Sequence, residues 1–248
     1  MKLTVNNPNL SLIMPVGCNA KCSFCYWESG HGLTLERFSF ICNTLPPVFK
    51  QISITGGEPT LSPDLFNYLK TARNRFDKVV LNTNGHHVKK EYIDLVDYIN
   101  ISRHHYYDKE NYDVFNTESV PDYEELKEIC KSGKVTLNCF LPSDFTDYSF
   151  IERYIMIAKL LGSRVAFRKY YSDLDILPVD HDDTLIDYHS CGACLHRRHL
   201  IHGVHTTFKY QVQETCEQMD GIYELIIQPN GDLTFDWAGK NKLEYKEV

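Results

Sequence analysis

The sequence predicts an α/β protein, a partial (β/α)6 TIM barrel over residues 1–171 followed by a small antiparallel C-terminal extension over residues 172–248. Short runs rich in Ile and Val alternate with longer segments of helical period, the pattern of parallel strands wrapped by helices. Six such units can be counted, fewer than the eight of a closed barrel. After Tyr171 the rhythm breaks at an acidic linker, SDLDILPVDHDDTL, and hairpin signals take over.

The expected strands are LSLIMPV from Leu10, QISIT from Gln51, KVVLNT from Lys78, INIS from Ile99, KVTLNCFL from Lys134 and RVAFRKYY from Arg164. Between them run helical segments: TLERFSFICNTL from Thr34, PDLFNYLKTARNRF with Pro63 in its first turn, and KKEYIDLVDY from Lys89. PDYEELKEICKSG and DYSFIERYIMIAKLLG each end on a glycine stop, Gly133 and Gly162. In the extension, IYELIIQ and LTFDW flank Pro229, Asn230, Gly231 and Asp232, a hairpin signal, and RHLIH with VHTTFKYQV forms another around Gly203.

With 248 residues the chain can bury a sizeable core without disulfides. The N-terminus lacks the basic-then-apolar layout of a signal peptide, and no apolar run reaches membrane-span length, so a cytoplasmic protein with no membrane partner is expected. Nine cysteines in that reducing compartment are thiols, and clustered ones point to metal binding or catalysis. A net charge of -7 argues against tracking along duplex nucleic acid by charge alone. The charge is uneven, however. From His189 to Gln213 there is no Asp or Glu, while Arg197, Arg198, Lys209 and five histidines fall in that window, either a solvated basic face or an anion or nucleotide contact.

Cys18, Cys22 and Cys25 follow the first strand directly, at the carboxyl end where parallel α/β folds put their chemistry. The spacing CNAKCSFC lets one loop wrap three thiolates around a single centre. A structural zinc normally closes its shell with four ligands, and His31 is the nearest candidate for the fourth. A four-iron cluster held by three cysteines instead leaves one iron open to a substrate or cofactor. The stretch GGEP at Gly56, Gly57, Glu58 and Pro59, right after the second strand, reads on its own as a tight turn.

CxxxCxxC followed by an aromatic residue, Tyr26, with GGEP closing the second strand, resembles the radical SAM enzymes. The resemblance implies a [4Fe-4S] cluster on the three cysteines and S-adenosylmethionine (SAM) chelated at the open iron, its amino group held by the GGEP backbone. It implies reductive cleavage of SAM to a 5'-deoxyadenosyl radical that takes hydrogen from a substrate, with a low-potential donor such as a flavodoxin or ferredoxin. LNTNG resembles the family's TNG segment, implying a methionine or ribose contact for Thr83. Ser102 matches a ribose-contacting hydroxyl, and Asn138 a SAM-facing amide opposite in alternation to Leu137 and Cys139. A turn residue or a satisfied core amide is the plainer alternative for each. Arg168 suits a carboxylate or an adenine, or an ordinary salt bridge.

Cys191 and Cys194 form CxxC, and Cys216 follows. Many radical SAM enzymes carry a Twitch or SPASM extension whose cysteines hold an auxiliary cluster. This tail departs from that pattern, with a long gap to Cys216 and FDW, Phe235 to Trp237, where another cysteine is usual. An auxiliary iron-sulfur cluster, a zinc completed by His189 or His205, and catalytic thiols, with Cys216 as hydrogen donor, all stay open. Cys42, Cys130 and Cys139 read as small core residues. His104, His105, Tyr106 and Tyr107, with Tyr170 and Tyr171, are expected at the barrel mouth. That lining suits a small-molecule or nucleoside-type substrate, modified by isomerisation or rearrangement. The second reading is a peptide maturase or protein activase, and the third a zinc-binding module without catalysis.

Overall fold

The structure, a computed structural model, describes residues 8–25, 30–142, 145, 147–170, 184–190, 194–211, 217–218, 221–222 and 224–243. Tyr26, Tyr171, Cys191, Cys216 and the linker as far as residue 183 lie outside them. Six strands pair in chain order, every neighbouring pair parallel: β1 (Asn9–Met14), β2 (Gln51–Gly56), β3 (Lys78–Thr83), β4 (Tyr98–Ser102), β5 (Val135–Leu141) and β6 (Arg164–Tyr170). The helices between them are α1 (Leu35–Thr44), α2 (Leu65–Arg75), α3 (Lys90–Leu95), α4 (Asp108–Phe115), α5 (Tyr123–Cys130) and α6 (Tyr148–Leu161).

Strand alternation sorts the side chains onto two unlike faces. Leu12, Ile54, Leu81, Ile101, Leu137 and Phe167 are buried against Phe38, Leu69, Leu126 and Ile155 of the helices in one continuous core. At about 2 kcal/mol for each such side chain removed from water, this layer drives the fold. Among the described residues the other face carries no helix, and along β2 to β4 it is polar. Asn100 Nδ2 donates to Asn82 Oδ1 at 2.8 Å, Asn82 Nδ2 donates to Ser53 Oγ at 3.0 Å, and Arg164 Nε donates to Thr136 Oγ1 at 3.3 Å. Where β3, β4 and β6 begin, the Tyr98 ring receives the Lys78 ammonium at 4.7 Å and the Arg164 guanidinium at 4.5 Å.

The barrel stays open, because β1 and β6 do not meet. The C-terminal strands continue the sheet at both edges instead. β7 (Thr184–Ser190), β8 (Cys194–Ile201) and β9 (Val204–Gln211) are antiparallel to one another and join through a parallel β9–β6 pair. At the other edge β12 (Glu224–Ile227) runs parallel to β1, and β13 (Leu233–Thr234) returns antiparallel across the Asn230–Gly231 turn. β10 (Glu217–Gln218) and β11 (Gly221–Ile222) form a separate short pair. The extension is therefore antiparallel within itself but shares the barrel's sheet, eleven strands in all.

Helix ends follow local chemistry. Asp122 and Glu125 form a reciprocal capping box on α5, and the Thr34 and Asp147 side chains cap α1 and α6. A cap of this kind is worth about 1 kcal/mol. Gly162 ends α6 in the left-handed conformation at φ 68°. Among the helices, one boundary and one whole element differ from expectation. α2 starts at Leu65 with Asp64 as its cap, so Pro63 stands before the helix rather than in its first turn. α4 has no counterpart in the sequence reading, because among its residues only Asn111 and Phe115 are buried and no apolar stripe marks it.

Candidate functional site

Cys18, Cys22 and Cys25 lie on the loop after β1, free as thiols, with Cys18 and Cys25 exposed and Cys22 half-buried. The loop is fastened at several points. Glu58 N–H donates to Gly17 O at 2.8 Å and Lys21 N–H to Phe115 O at 2.9 Å. Asn19 Nδ2 donates to Ser119 O at 2.7 Å, while Asn84 Nδ2 donates to Asn19 Oδ1 at 2.7 Å. Phe24 stacks on Phe140 of β5 at 4.8 Å and meets His104 edge-on at 5.0 Å. Beyond the loop, Leu33 N–H donates to Pro229 O at 2.7 Å, tying its far side to the β12–β13 turn.

The GGEP segment is shaped to reach this loop. A Cβ on Gly57 would sit 2.3 Å from Gly17 O, inside any real contact, and Gly56 holds φ +148° against the Met14 backbone. Glu58 is fully buried, and its carboxylate accepts four hydrogen bonds. Oε1 receives Thr60 N–H at 2.9 Å, Thr60 Oγ1 at 2.6 Å and Thr83 Oγ1 at 2.5 Å, and Oε2 receives Asn84 N–H at 2.6 Å. One carboxylate thereby binds the ends of β2 and β3 to each other. Pro59 is buried and opens the short 3-10 turn that Glu58 caps.

The three thiols sense one another. Burial pushes the Cys22 thiol up to about 11, and the neighbouring Cys25 and Cys18 add to the rise. Cys18 is raised first by burial, with the Ala20 N–H pulling against it and Glu58 and Cys25 pushing further. Cys18 and Cys22 therefore resist ionising, and a cationic centre is what would hold them as thiolates. Among the described residues, no three His, Cys, Asp or Glu converge closely enough to ligate one metal ion. The loop's three thiols are a donor set of the kind that holds iron-sulfur clusters, and they are the residues that would hold one here.

A second mark of an unfilled requirement lies across the face. Asn138 Oδ1 is buried with no hydrogen-bond partner, on the helix-free side of β5, and Ser102 is its register neighbour on β4. An orphaned buried amide oxygen costs roughly 1–3 kcal/mol, a cost a ligand donor would relieve. Arg168 is exposed on the same face, paired in register with Phe140.

Other expected residues take different positions. Thr83 is buried on the helix side, donating to Glu58 and accepting Gly85 N–H at 2.9 Å, so its hydroxyl is already engaged in bracing. The residue reaching the cysteine loop is Asn84, just past the end of β3, while alternation along β3 puts Asn82 on the helix-free side. His104 and His105 part company. The His104 Nδ1 accepts Phe140 N–H at 3.1 Å, fixing the neutral ring under Phe24, and burial pushes its pKa down to about 4. His105 stacks on Tyr106 at 4.3 Å and meets Phe150 of α6, on the helix side, so the pair does not line the mouth together.

In the tail, Cys194 begins β8 and Tyr170 ends β6, both paired with Gln211. His205 is exposed on β9, and His189 on β7 pairs in register with His196. Cys42, Cys130 and Cys139 are buried, as expected of core residues. Trp237 packs on Ile13 and Ile226, and the Asp236 carboxylate clamps its turn by accepting Lys240 and Asn241 N–H.

A three-thiol loop after the first strand of an open parallel barrel, locked to a GGEP turn, is the arrangement of one enzyme class. Residues 12–154 match the model of the radical SAM superfamily, more than half of the chain, and the protein belongs to that superfamily. The family implies a [4Fe-4S] cluster and SAM. A protein of Methanocaldococcus jannaschii, whose name carries the provisional assignment "glycyl-radical enzyme activating enzyme", is 27% identical over 175 residues, 55% of this chain and 66% of its own length. Among solved structures, Streptococcus suis SuiB bound to SAM is similar with a TM-score of 0.65 at 16% identity, covering 98% of this chain and 62% of SuiB. SuiB bound to its precursor peptide SuiA gives the same TM-score and identity, with 63% of SuiB covered. The chain thus spans somewhat under two thirds of these relatives, and the SuiB likeness speaks for the fold. Among the described residues, no helix is long and apolar enough to cross a membrane.

Proposed function

We propose that Cys18, Cys22 and Cys25 hold a [4Fe-4S] cluster at which SAM binds, and that the enzyme removes hydrogen from a polypeptide, either a free peptide or a segment of a partner protein. When bound, the cluster and SAM supply a carbon radical, with the electron coming from a low-potential donor of flavodoxin or ferredoxin type. The chain's own work is positional. Glu58, Gly57 and Asn84 hold the thiol loop against the ends of β2 and β3, Phe24 on Phe140 covers the side facing β5, and Asn138 offers an acceptor to the cofactor beside Ser102. The observation that carries the reading is the coupling of the three-thiol loop to the GGEP turn through Gly17, Asn19 and the buried Glu58.

The polypeptide substrate is supported by the relative named as an activating enzyme and by a fold shared with SuiB over almost the whole chain. A small or nucleoside-type substrate has one observation in its favour, the row of hydroxyls and amides at Ser53, Asn82, Asn100 and Thr136. Protein reconstituted anaerobically with iron and sulfide, then reduced with dithionite in the presence of SAM, is expected to release 5'-deoxyadenosine and methionine. Cys22→Ala should abolish both products. Zinc in place of iron, with no SAM cleavage, would overturn the reading.

A further inference from the structure

The row of amides and hydroxyls on the helix-free face has a fixed polarity. Asn82 Nδ2 donates to Ser53 Oγ at 3.0 Å and to Ile54 O at 3.3 Å, and a backbone carbonyl can only accept. That sets the Asn82 amide, so its Oδ1 is the acceptor toward Asn100, and Asn100 meets it with Nδ2 at 2.8 Å. Asn100 Oδ1 is thereby left open as an acceptor. On the neighbouring strand Arg164 Nε, an obligate donor, meets Thr136 Oγ1 at 3.3 Å, so that oxygen accepts and the hydroxyl proton is turned elsewhere. Among the described residues neither Asn100 Oδ1 nor the Thr136 proton has a partner.

Asn100 and Thr136 are half-buried and paired in register on β4 and β5, about 4.8 Å apart across the ladder. An open acceptor beside an open donor suits a group that carries both, and a primary carboxamide carries N–H and C=O on one edge. Two bonds of about 2.9 Å, inclined toward each other, span the gap. A carboxylate has no hydrogen for Asn100 Oδ1, and an ammonium has no acceptor for Thr136. The cations nearby are engaged: Arg164 also donates to Lys134 O at 2.9 Å, and both Lys78 and Arg164 lie over the Tyr98 ring. Two residues further along the same strands stand Ser102 and Asn138, about 6.6 Å away, where the cofactor is proposed to meet the chain.

We propose that Asn100 and Thr136 seat the carboxamide of an Asn or Gln side chain of the polypeptide substrate, its N–H donating to Asn100 Oδ1 and its oxygen accepting from Thr136. The carbons next to the seated carboxamide then lie between this row and the cofactor contacts, so the pair selects which residue is presented for hydrogen removal. The inference rests on the polypeptide reading above, and takes the row as the seat of one side chain rather than of a whole small molecule.

The test titrates the full chain, labelled with nitrogen-15, with four small probes and follows the side-chain amide signals of Asn82 and Asn100 by NMR. Propionamide is the side chain of Gln, propionate that of Glu, butanone has the same shape with an acceptor alone, and 1-propanol puts both roles on one atom. The Asn100 signals are assigned by their absence from Asn100→Ala. Propionamide should shift them saturably, and the other three should bind at least fivefold more weakly. Thr136→Val, which keeps the shape and removes the hydroxyl, should weaken propionamide at least fivefold, and Thr136→Ser should restore it, with circular dichroism confirming that both variants fold. If Thr136→Val does not fold, Asn100→Ala takes its place with the same expected loss, read at Asn82. Equal binding of the four probes, indifference to these variants, or shifts that never saturate, as when water alone fills the seat, would overturn the proposal. The titration needs neither cluster nor SAM, so loss of SAM cleavage with propionamide still bound counts against the function proposed above and not against this seat.

Discussion

The buried carboxylate of Glu58 gives the most quantitative test of how the site is assembled. In Glu58→Gln the shape is kept, and one oxygen can still accept the bonds from Thr60 and Thr83. The new amide then faces Asn84 N–H, donor against donor, where Oε2 had accepted at 2.6 Å. Losing one charge-assisted bond costs about 1.5–3 kcal/mol, and weakening the other three adds about 1–3 more. Not having to bury a charge offsets part of this, leaving a net loss of about 2–4 kcal/mol. For a chain of this size that lowers Tm by about 5–15 °C. Urea unfolding of the metal-free protein measures the loss, and SAM affinity of the reconstituted protein should fall with it, because Asn84 also holds Asn19 of the thiol loop. Glu91→Gln, at an exposed position in α3, controls for charge removal and should change neither. If Glu58→Gln unfolds at the same urea concentration as the unaltered protein, the carboxylate does not bind the two strand ends as argued.

Other expectations follow from single residues. Asn138→Leu removes a buried acceptor that has no partner, so the metal-free protein should be unchanged or stabilised by up to about 1 kcal/mol while SAM affinity drops tenfold or more; a destabilised protein with normal SAM binding would contradict this role. Gly57→Ala should fold yet retain little iron after reconstitution, because its Cβ would press Gly17 away from the GGEP turn, and full iron loading would show that the close approach is dispensable. His104 is held neutral in the fold, so the unfolded chain takes a proton first as pH falls below about 6.5. Its contribution to stability is present above that value and is lost as pH drops toward about 4, by at most about 3 kcal/mol. His104→Gln, which cannot gain charge, should flatten that part of the stability-pH curve, and an unchanged slope would assign the acid sensitivity elsewhere.

Much of the fold was legible because burial imposes period. Each of the six barrel strands begins within a residue of its apolar run, since one face must meet the helices. Helix α4 was not legible, because Asn111 and the ion pair of half-buried Asp108 with buried Arg103 hold it where an apolar stripe normally would. At the site, the thiol spacing and GGEP located the loop and turn, but not how they are joined. Alternation puts Asn138 opposite Leu137 and Cys139, whereas Asn84, which bonds Asn19 of the cysteine loop, lies just past the end of β3, where alternation no longer applies. Glu58 was read as part of a cofactor turn, and its bracing role depends on β3 returning beside β2, a tertiary fact that no local pattern carries. The pair of Asn100 and Thr136 likewise exists only once β5 lies against β4.

The central claim is that three cysteines leave one iron of the cluster open for SAM. Electron paramagnetic resonance of the reduced, reconstituted protein, recorded before and after SAM is added, addresses that iron itself. The account predicts about four irons per chain held by Cys18, Cys22 and Cys25, none after any one is replaced by alanine, and a signal that changes shape when SAM binds. A cluster whose signal is indifferent to saturating SAM, or that is lost when His31 is replaced, would mean that a protein ligand closes the site.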